Sequence, residues 1–138
     1  MDKLNWNGWK GLETAGNQWR VVAGGGEKLE VNTSGVIVTG TIVASSNITA
    51  YSDERLKSNV ETIPNALEKV NALRGVSFDK DGERGLGVIA QEVEKVLPEL
   101  VLDGEEYKSV AYGNMVGVLI EAIKELTKEV EDLKKQIK

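Results

Sequence analysis

The stretch Ser52-Asp53-Glu54-Arg55-Leu56-Lys57 lies where two segments of unlike composition meet. Before it, the chain is rich in Gly, Ser and Thr and carries short β-branched runs, a pattern typical of strands. After it, charged residues are frequent and the chain ends in a helical repeat. The sequence therefore predicts two regions, residues 1–51 and residues 52–138, with a change of architecture at Ser52.

Short strands are predicted in the first region at residues 20–23, 28–32 and 35–44. Gly residues punctuate these runs, and strands this short bury little surface alone. We therefore expect them to wind together with copies of themselves into an intertwined, β-helix-like fibre.

Three tryptophans, Trp6, Trp9 and Trp19, lie among Gly, Asn and Gln at the start of this region. Their rings could pack against neighbouring strands or subunits, which is the usual role of such residues. They could also stack on a sugar ring, so a host-surface glycan is a candidate partner of the fibre part.

The second region has the pattern of a small mixed α/β domain. Pro64 and Gly75 bracket an amphipathic helix with an apolar stripe at Leu67, Val70 and Leu73. Further along, the pattern predicts a strand at 76–79, a turn at 79–82, a compact apolar strand or strand-to-helix turn at 85–90, a helix at 91–97 and a hairpin at 100–110.

The longest predicted helix runs from about Gly113 to the end, residues 113–138. Its apolar residues recur at alternating spacings of three and four and define a heptad seam: Val116, Leu119, Ile123, Leu126, Val130, Leu133 and Ile137. Such a seam needs a partner helix, and the simplest partner is another copy of the chain. Val or Ile alternating with Leu favours two strands in an isolated coiled coil, but a domain that already sets the oligomer can override that preference.

The composition excludes several classes of chemistry. The 138 residues include no Cys and no His, which rules out Cys- or His-based zinc sites and Ser-His-Asp triads. No metal or cofactor is expected. The net charge of −5 argues against nucleic acid or an anionic membrane as the main partner. No apolar run approaches the roughly 18 residues of a membrane span, and the first residues open no signal peptide.

Ser52 and Lys57 are the candidate chemical pair. A serine hydroxyl is a weak nucleophile until a base takes its proton, and here that base must be a lysine, a carboxylate or an amino terminus. Lys57 could serve if its amine were neutral, which burial favours, and if the backbone turned between the two residues. However, Ser52 before Asp53 and Glu54 also has the pattern of a helix N-cap. Spacing alone leaves both interpretations open.

Three ordered signatures resemble the endosialidase-type intramolecular chaperone domain of phage tailspikes, tail fibres and neck appendages. The first is residues 52–57, quoted above. The second is residues 87–101, GVIAQEVEKVLPELV. The third is residues 107–112, YKSVAY, followed by residues 119–126, LIEAIKEL.

The resemblance implies an α+β homotrimer: a β-fibre end at 1–51 and a chaperone domain at 52–138 that folds and aligns the preceding fibre, its client. It also implies self-cleavage of the Tyr51–Ser52 bond, with Ser52 as nucleophile and Lys57 as base. Asp53, Arg55, Gln91 and Glu92 are the supporting motif residues. The location implied is the phage tail fibre or tailspike, assembled in the host cytoplasm, and the short chain is expected to be a fragment of a longer fibre.

The alternative is a trimeric fibre tip or clamp without chemistry, either structural or carbohydrate-binding. It rests on the same seam and the same tryptophans but requires nothing of Ser52. Cleavage of the chain distinguishes the two functions.

Overall fold

Two structural units, Met1–Asp53 and Glu54–Lys138, divide the chain. The computed structural model describes the backbone of residues 5–6, 9–15, 18–23, 26–33 and 35–137, and, before residue 28, the side chains of Arg20 and Val21 alone. The boundaries 1–51 and 52–138 of the two functional regions stay a prediction.

The first unit contains a five-stranded antiparallel sheet in which each strand pairs with its neighbour along the chain. The strands are β1 (Asn5–Trp6), β2 (Trp9–Ala15), β3 (Gln18–Ala23), β4 (Gly26–Asn32) and β5 (Gly35–Val38). Arg20 of β3 lies opposite Glu30 of β4, with 3.9 Å between Nε and Oε2. All these pairs form within one chain, and the winding of copies into a fibre stays a prediction.

Strand β5 ends at Val38, earlier than the prediction of a strand over 35–44. The Thr39 N–H still donates to the Lys28 carbonyl at 3.1 Å, but Gly40 then takes a φ of +130°. Residues 41–53 are exposed and outside any strand. Among the described strands, none pairs with the β-branched residues after Gly40, so their preference for extended backbone creates no sheet there.

The second unit contains three helices and two hairpins. Its elements are α1 (Ala66–Ala72), β6 (Val76–Lys80), β7 (Glu83–Gly87), α2 (Ala90–Val93), β8 (Val101–Asp103), β9 (Lys108–Val110) and α3 (Met115–Gln136), with 3₁₀ turns at Glu54–Leu56, Pro98–Leu100 and Tyr112–Asn114. The mixed α/β architecture and the long last helix agree with the sequence prediction.

The hairpin β6–β7 turns at Asp81 and Gly82, whose φ angles are +54° and +82°. Two consecutive positive φ values match the twist of antiparallel strands, and Asp-Gly is a preferred pair for such a turn. The turn chemistry at 79–82 was predicted from these residues.

The helix predicted over 91–97 is shorter in the structure, where α2 ends at Val93. The chain continues as turns, with the Leu97 N–H donating to the Val93 carbonyl at 2.7 Å. Leu97 itself leaves the helical region, at φ −139° and ψ 69°, because the ring of Pro98 disfavours helical backbone in the residue before it.

A small core joins α1, α2 and the first half of α3. Its fully buried members are Ala66, Val93, Leu97, Leu100, Val118 and Ala122. The predicted stripe of α1, Leu67, Val70 and Leu73, is half-buried and packs against this core. Six buried residues are few for a unit of this size, a shortage that association with further copies would relieve.

Helix α3 uses one flank for this core, and its heptad seam lies on another. The seam residues are between 41% and 85% exposed in the single chain. An apolar stripe of seven large side chains along one helix is normally buried against a partner. The coiled coil itself stays a prediction, and the exposure of its seam is the structural fact behind it.

Phe78 covers two glycines on the opposite strand of its hairpin, Gly85 and Gly87. A Cβ on Gly85 would lie 2.8 Å from Phe78 Cε2, so we expect Gly85→Ala to displace the ring and destabilise the second unit by about 1–3 kcal/mol. The matched control is Gly75→Ala, where a Cβ would meet nothing within 4 Å. Denaturant midpoints of the two variants check this, and equal midpoints would contradict it.

Candidate functional site

The backbone turns once just after Ser52. Residues 54–56 form a 3₁₀ turn, and the Lys57 N–H donates to the Glu54 carbonyl at 3.0 Å. A turn between the two residues is what a pairing of Lys57 with Ser52 requires. The turn is 3₁₀ and lasts three residues, so the N-cap pattern at Ser52 opens no α-helix.

The side chains around the Tyr51–Ser52 bond are exposed in the single chain. Tyr51 is 96% exposed, and Ser52, Asp53, Arg55 and Lys57 are exposed as well. An exposed peptide bond is accessible to an attacking group. The single chain therefore presents the bond without the burial that Lys57 needs to act as a base.

The segment from Lys57 to α1 is irregular, with a bend at Asn59 (φ +52°), and it enters the unit at Ile63. Residues 57–62 are exposed, and Ile63 is half-buried against α3, where its Cδ1 would lie 3.6 Å from a Cβ on Gly117. Asn65 then takes a left-handed φ of 51°, and Ala66 begins α1 fully buried. This segment connects the candidate base to the core.

Glu125 of α3 caps the start of α1. Its Oε1 accepts the Ala66 N–H at 2.9 Å, and its Oε2 accepts the Leu67 N–H at 2.8 Å. The first N–H groups of a helix have no acceptor within it, and Asn65 provides no side-chain hydrogen bond to them. A carboxylate also suits the positive end of the helix dipole. We call this contact the Glu125 cap.

The Glu125 cap lowers the pKa of its own carboxyl group. The hydrogen bonds from the backbone N–H groups of Leu67 and Ala66 stabilise the charged form, and nearby Lys69 acts in the same direction, while partial burial opposes them. The pKa of Glu125 therefore lies below its ordinary value of 4.5.

This shift predicts how Glu125→Gln depends on pH. A carboxyl whose pKa is lowered by folding contributes stability above its unfolded pKa and loses it as pH falls through the folded pKa. We expect Glu125→Gln to lower the melting temperature fully at neutral pH, and progressively less below the ordinary value of 4.5. The control is Glu121→Gln, because Glu121 binds Lys124 on its own helix and takes no part in the Glu125 cap. A difference in melting temperature that is constant with pH would contradict the argument.

Gln91 and Glu92, the supporting residues of the second signature, lie in α2. Glu92 makes a two-point ion pair with Arg74, in which Arg74 Nε donates to Oε2 at 3.2 Å. The hydrogen bond from Arg74 lowers the pKa of Glu92. Gln91 is exposed and contributes to the wall of an open pocket of about 430 Å³. Glu92 therefore links α2 to Arg74, which follows the end of α1.

The second and third signatures are packed against each other. The Tyr112 hydroxyl accepts a hydrogen bond from the Val88 N–H at 3.4 Å. The same hydroxyl oxygen would lie only 2.7 Å from a Cβ on Gly87, so a larger residue there would clash with it. Lys108 donates to Glu94 of the second signature at 2.9 Å and also to Asp103. These hydrogen bonds raise the pKa of Lys108, Asp103 being the larger cause. The two signatures thus form one structural body.

The structure describes the three tryptophans by their backbone alone. The backbones of Trp6, Trp9 and Trp19 lie in β1, β2 and β3, with Trp6 opposite Trp9. Their side chains lie outside the described part of the chain, so glycan binding stays a prediction. Within the described residues, no cluster of acidic side chains suits a metal ion, and no helix is long and apolar enough to cross a membrane.

Sequence reasoning missed two residues that organise the second unit, Arg74 and Glu125. Arg74 lies 18 residues from its partner, and Glu125 lies 59 and 58 residues from the N–H groups that it caps. Neither pair leaves a local pattern, because only the fold brings the partners together. Glu125 lay within a family signature, but its role had no signal there.

Part of the chain matches a known protein family. Residues 52–102 match the family described as chaperone of endosialidase, and the match begins at Ser52. The chain is also similar to long tail fiber proteins of three Enterobacteria phages. For phage K3 the identity is 36% over 107 residues, covering 69% of this chain and 9% of the phage protein. For phage Ox2 it is 36% over 102 residues, covering 64% and 41%.

The third of these relatives, from phage M1, is 38% identical over 96 residues, covering 60% of this chain and 38% of the phage protein. The chain thus spans less than half the length of each of these relatives. The first two signatures, residues 52–57 and 87–101, lie within the match over 52–102. The chain thus carries an endosialidase-type chaperone domain.

Proposed function

We propose that this chain is the chaperone end of a phage tail fibre, which assembles as three copies, folds the fibre before it and then cuts itself between Tyr51 and Ser52. The observation that carries the proposal is the start of the family match at Ser52 itself. A boundary at that residue is expected if Ser52 becomes the first residue of a released domain.

The proposed chemistry uses the two residues of the first signature. Ser52 Oγ attacks the Tyr51 carbonyl carbon while the neutral Lys57 amine takes the hydroxyl proton. The peptide C–N bond then breaks, the Ser52 nitrogen receives a proton from Lys57, and Tyr51 is held as an ester on Oγ. Water hydrolyses the ester and leaves a carboxylate on Tyr51 and a free hydroxyl on Ser52. Backbone N–H groups near the turn are the candidates for stabilising the oxyanion.

Assembly would bury the Lys57 side chain, which is exposed in the single chain. Lys57 is exposed, and the α3 seam is exposed. When three seams pack together, neighbouring copies come close to the first turn and can remove water from the Lys57 amine, which favours the neutral base. Cleavage would thus follow assembly, so that the domain is released only after it has aligned the fibre.

The relatives support the proposed location in the phage virion. Their long tail fiber descriptions support a place for this chain in the phage virion, with residues 1–51 as the end of the fibre. The strands β1–β5 would be the part of the client present in this chain, and host cytoplasm is the proposed place of assembly.

Intact mass of the purified chain under denaturing conditions tests the proposal. We expect two species, residues 1–51 and residues 52–138, with the masses that hydrolysis of the Tyr51–Ser52 bond gives. Light scattering under native conditions should show three copies. A single full-length species in a three-copy assembly would instead favour the fibre clamp without chemistry, which the exposed Ser52 and Lys57 of the single chain also allow.

A further inference from the structure

Helix α3 presents two different flanks. One flank carries the exposed heptad seam, including Ile123 and Leu126. Another holds the beginning of α1 through Glu125, the residue immediately before Leu126. A helix is stiff over such a short distance, so the position of the seam and the position of the start of α1 are tied together.

The start of α1 in turn determines where Lys57 lies. After Lys57, the first half-buried residue is Ile63, which packs near Gly117 of α3. Ala66 follows, fully buried and hydrogen-bonded to Glu125. On its carboxyl-terminal side, the segment of Lys57 thus meets α3 at Ile63 and Ala66, and it also lines a pocket with Leu97 and Leu100.

Glu125 is needed at this point because α1 cannot organise its own beginning. The helix has seven residues, and short helices depend on outside contacts to form. Asn65 contributes no side-chain cap, while both oxygens of Glu125 accept N–H groups of the first turn. Without that carboxylate, the first turn of α1 loses two charge-assisted hydrogen bonds. The segment before α1 is then no longer held at its carboxyl-terminal end.

We propose that Glu125 is a positioning residue for the self-cleavage at Tyr51–Ser52. This inference rests on the proposed function. In an assembly held by α3 seams, the groups that bury Lys57 belong to neighbouring copies, so the distance from α3 to Lys57 decides whether the amine reaches them. The Glu125 cap holds the start of α1 at that distance, so Glu125 would act through the connecting segment and not on the reacting atoms.

The test compares cleavage rates of Glu125→Gln and Glu125→Ala with the parent and with Glu121→Gln, all as full chains. Rates are followed by intact mass after dilution from denaturant, well below the lowest melting temperature of the set, where every variant is folded. At that temperature, a loss of stability alone would leave the rates equal. We expect the rate to fall about 10- to 100-fold in Glu125→Gln, further in Glu125→Ala, and not in Glu121→Gln. Light scattering should give the same three-copy mass for all four proteins.

Two results would overturn this inference while leaving the proposed function intact. One is a parent and a Glu125→Gln variant that cut at the same rate. The other is a Glu125→Gln variant that no longer forms the three-copy assembly, because Glu125 would then act in association instead of positioning. A parent chain that never cuts would sink the proposed function itself, and this inference with it.

Discussion

Replacing Ser52 by alanine is expected to leave the chain in one piece. The substitution removes the only atom that the proposed mechanism uses as a nucleophile and leaves the backbone of the 3₁₀ turn at 54–56 unchanged. We expect the rate of cleavage to fall by more than about a thousandfold, since removal of a nucleophile usually removes most of the catalysis. Denaturing electrophoresis and intact mass should show a single full-length species where the parent gives two.

Lys57→Met should have an effect of similar size. Methionine keeps an unbranched, flexible side chain and removes the amine, so a loss of cleavage would point to the base and not to altered packing. Because Lys57 is exposed in the single chain, the substitution should leave the melting temperature of the second unit nearly unchanged.

The controls are a nearby serine and a lysine elsewhere on the surface. Ser58→Ala removes an exposed hydroxyl next to Lys57, and Lys80→Met removes an exposed amine from the β6–β7 hairpin. Both variants should cut at the parental rate. If Ser52→Ala cut as well as the parent, the bond would be broken by another group or by a contaminating protease, and the Ser-Lys mechanism would be wrong.

Ile123→Gln should abolish the three-copy assembly. Ile123 is 64% exposed in the single chain and lies at the middle of the heptad seam, so the change costs the isolated unit little. Burial of an isoleucine side chain contributes about 1.5–3 kcal/mol, and three copies lose that contribution at once, which weakens assembly by at least about a thousandfold. Sedimentation or light scattering over a dilution series measures the shift.

Lys128→Gln is the matched control for this change. It places the same residue on the same helix, but Lys128 is exposed and lies away from the seam. It should assemble like the parent. If Ile123→Gln assembled equally well, the seam would not be the contact between copies, and the exposed face would need another occupant. If Ile123→Gln remained dispersed yet cut at the parental rate, cleavage would not require assembly.

Local patterns were sufficient to predict the hairpins and the last helix. Asp81 and Gly82 favour positive φ angles by their own chemistry, so the turn between β6 and β7 follows from two adjacent residues. The seam of α3 repeats over 22 residues, long enough for a period to be unmistakable. Both predictions depend on neighbours in sequence, which is why they agree with the structure.

Boundaries were harder where a strand or helix depends on a distant partner. Residues 41–44 have the composition of a strand but pair with no described strand, so the prediction ran past Val38. Residues 94–97 have helical composition but end as turns in front of Pro98. The pattern shows what a segment prefers, whereas hydrogen bonding to other segments decides where the preference is met.

The candidate site shows the same division. The identity of the pair Ser52 and Lys57, the absence of His and Cys alternatives and the family itself could all be inferred from the order of residues, because nucleophile, base and signatures are properties of local chemistry. The exposure of Lys57 and the two hydrogen bonds of Glu125 to the start of α1 could not. They depend on segments about 60 residues apart meeting in space, and burial and long-range capping are settled only when the chain has folded.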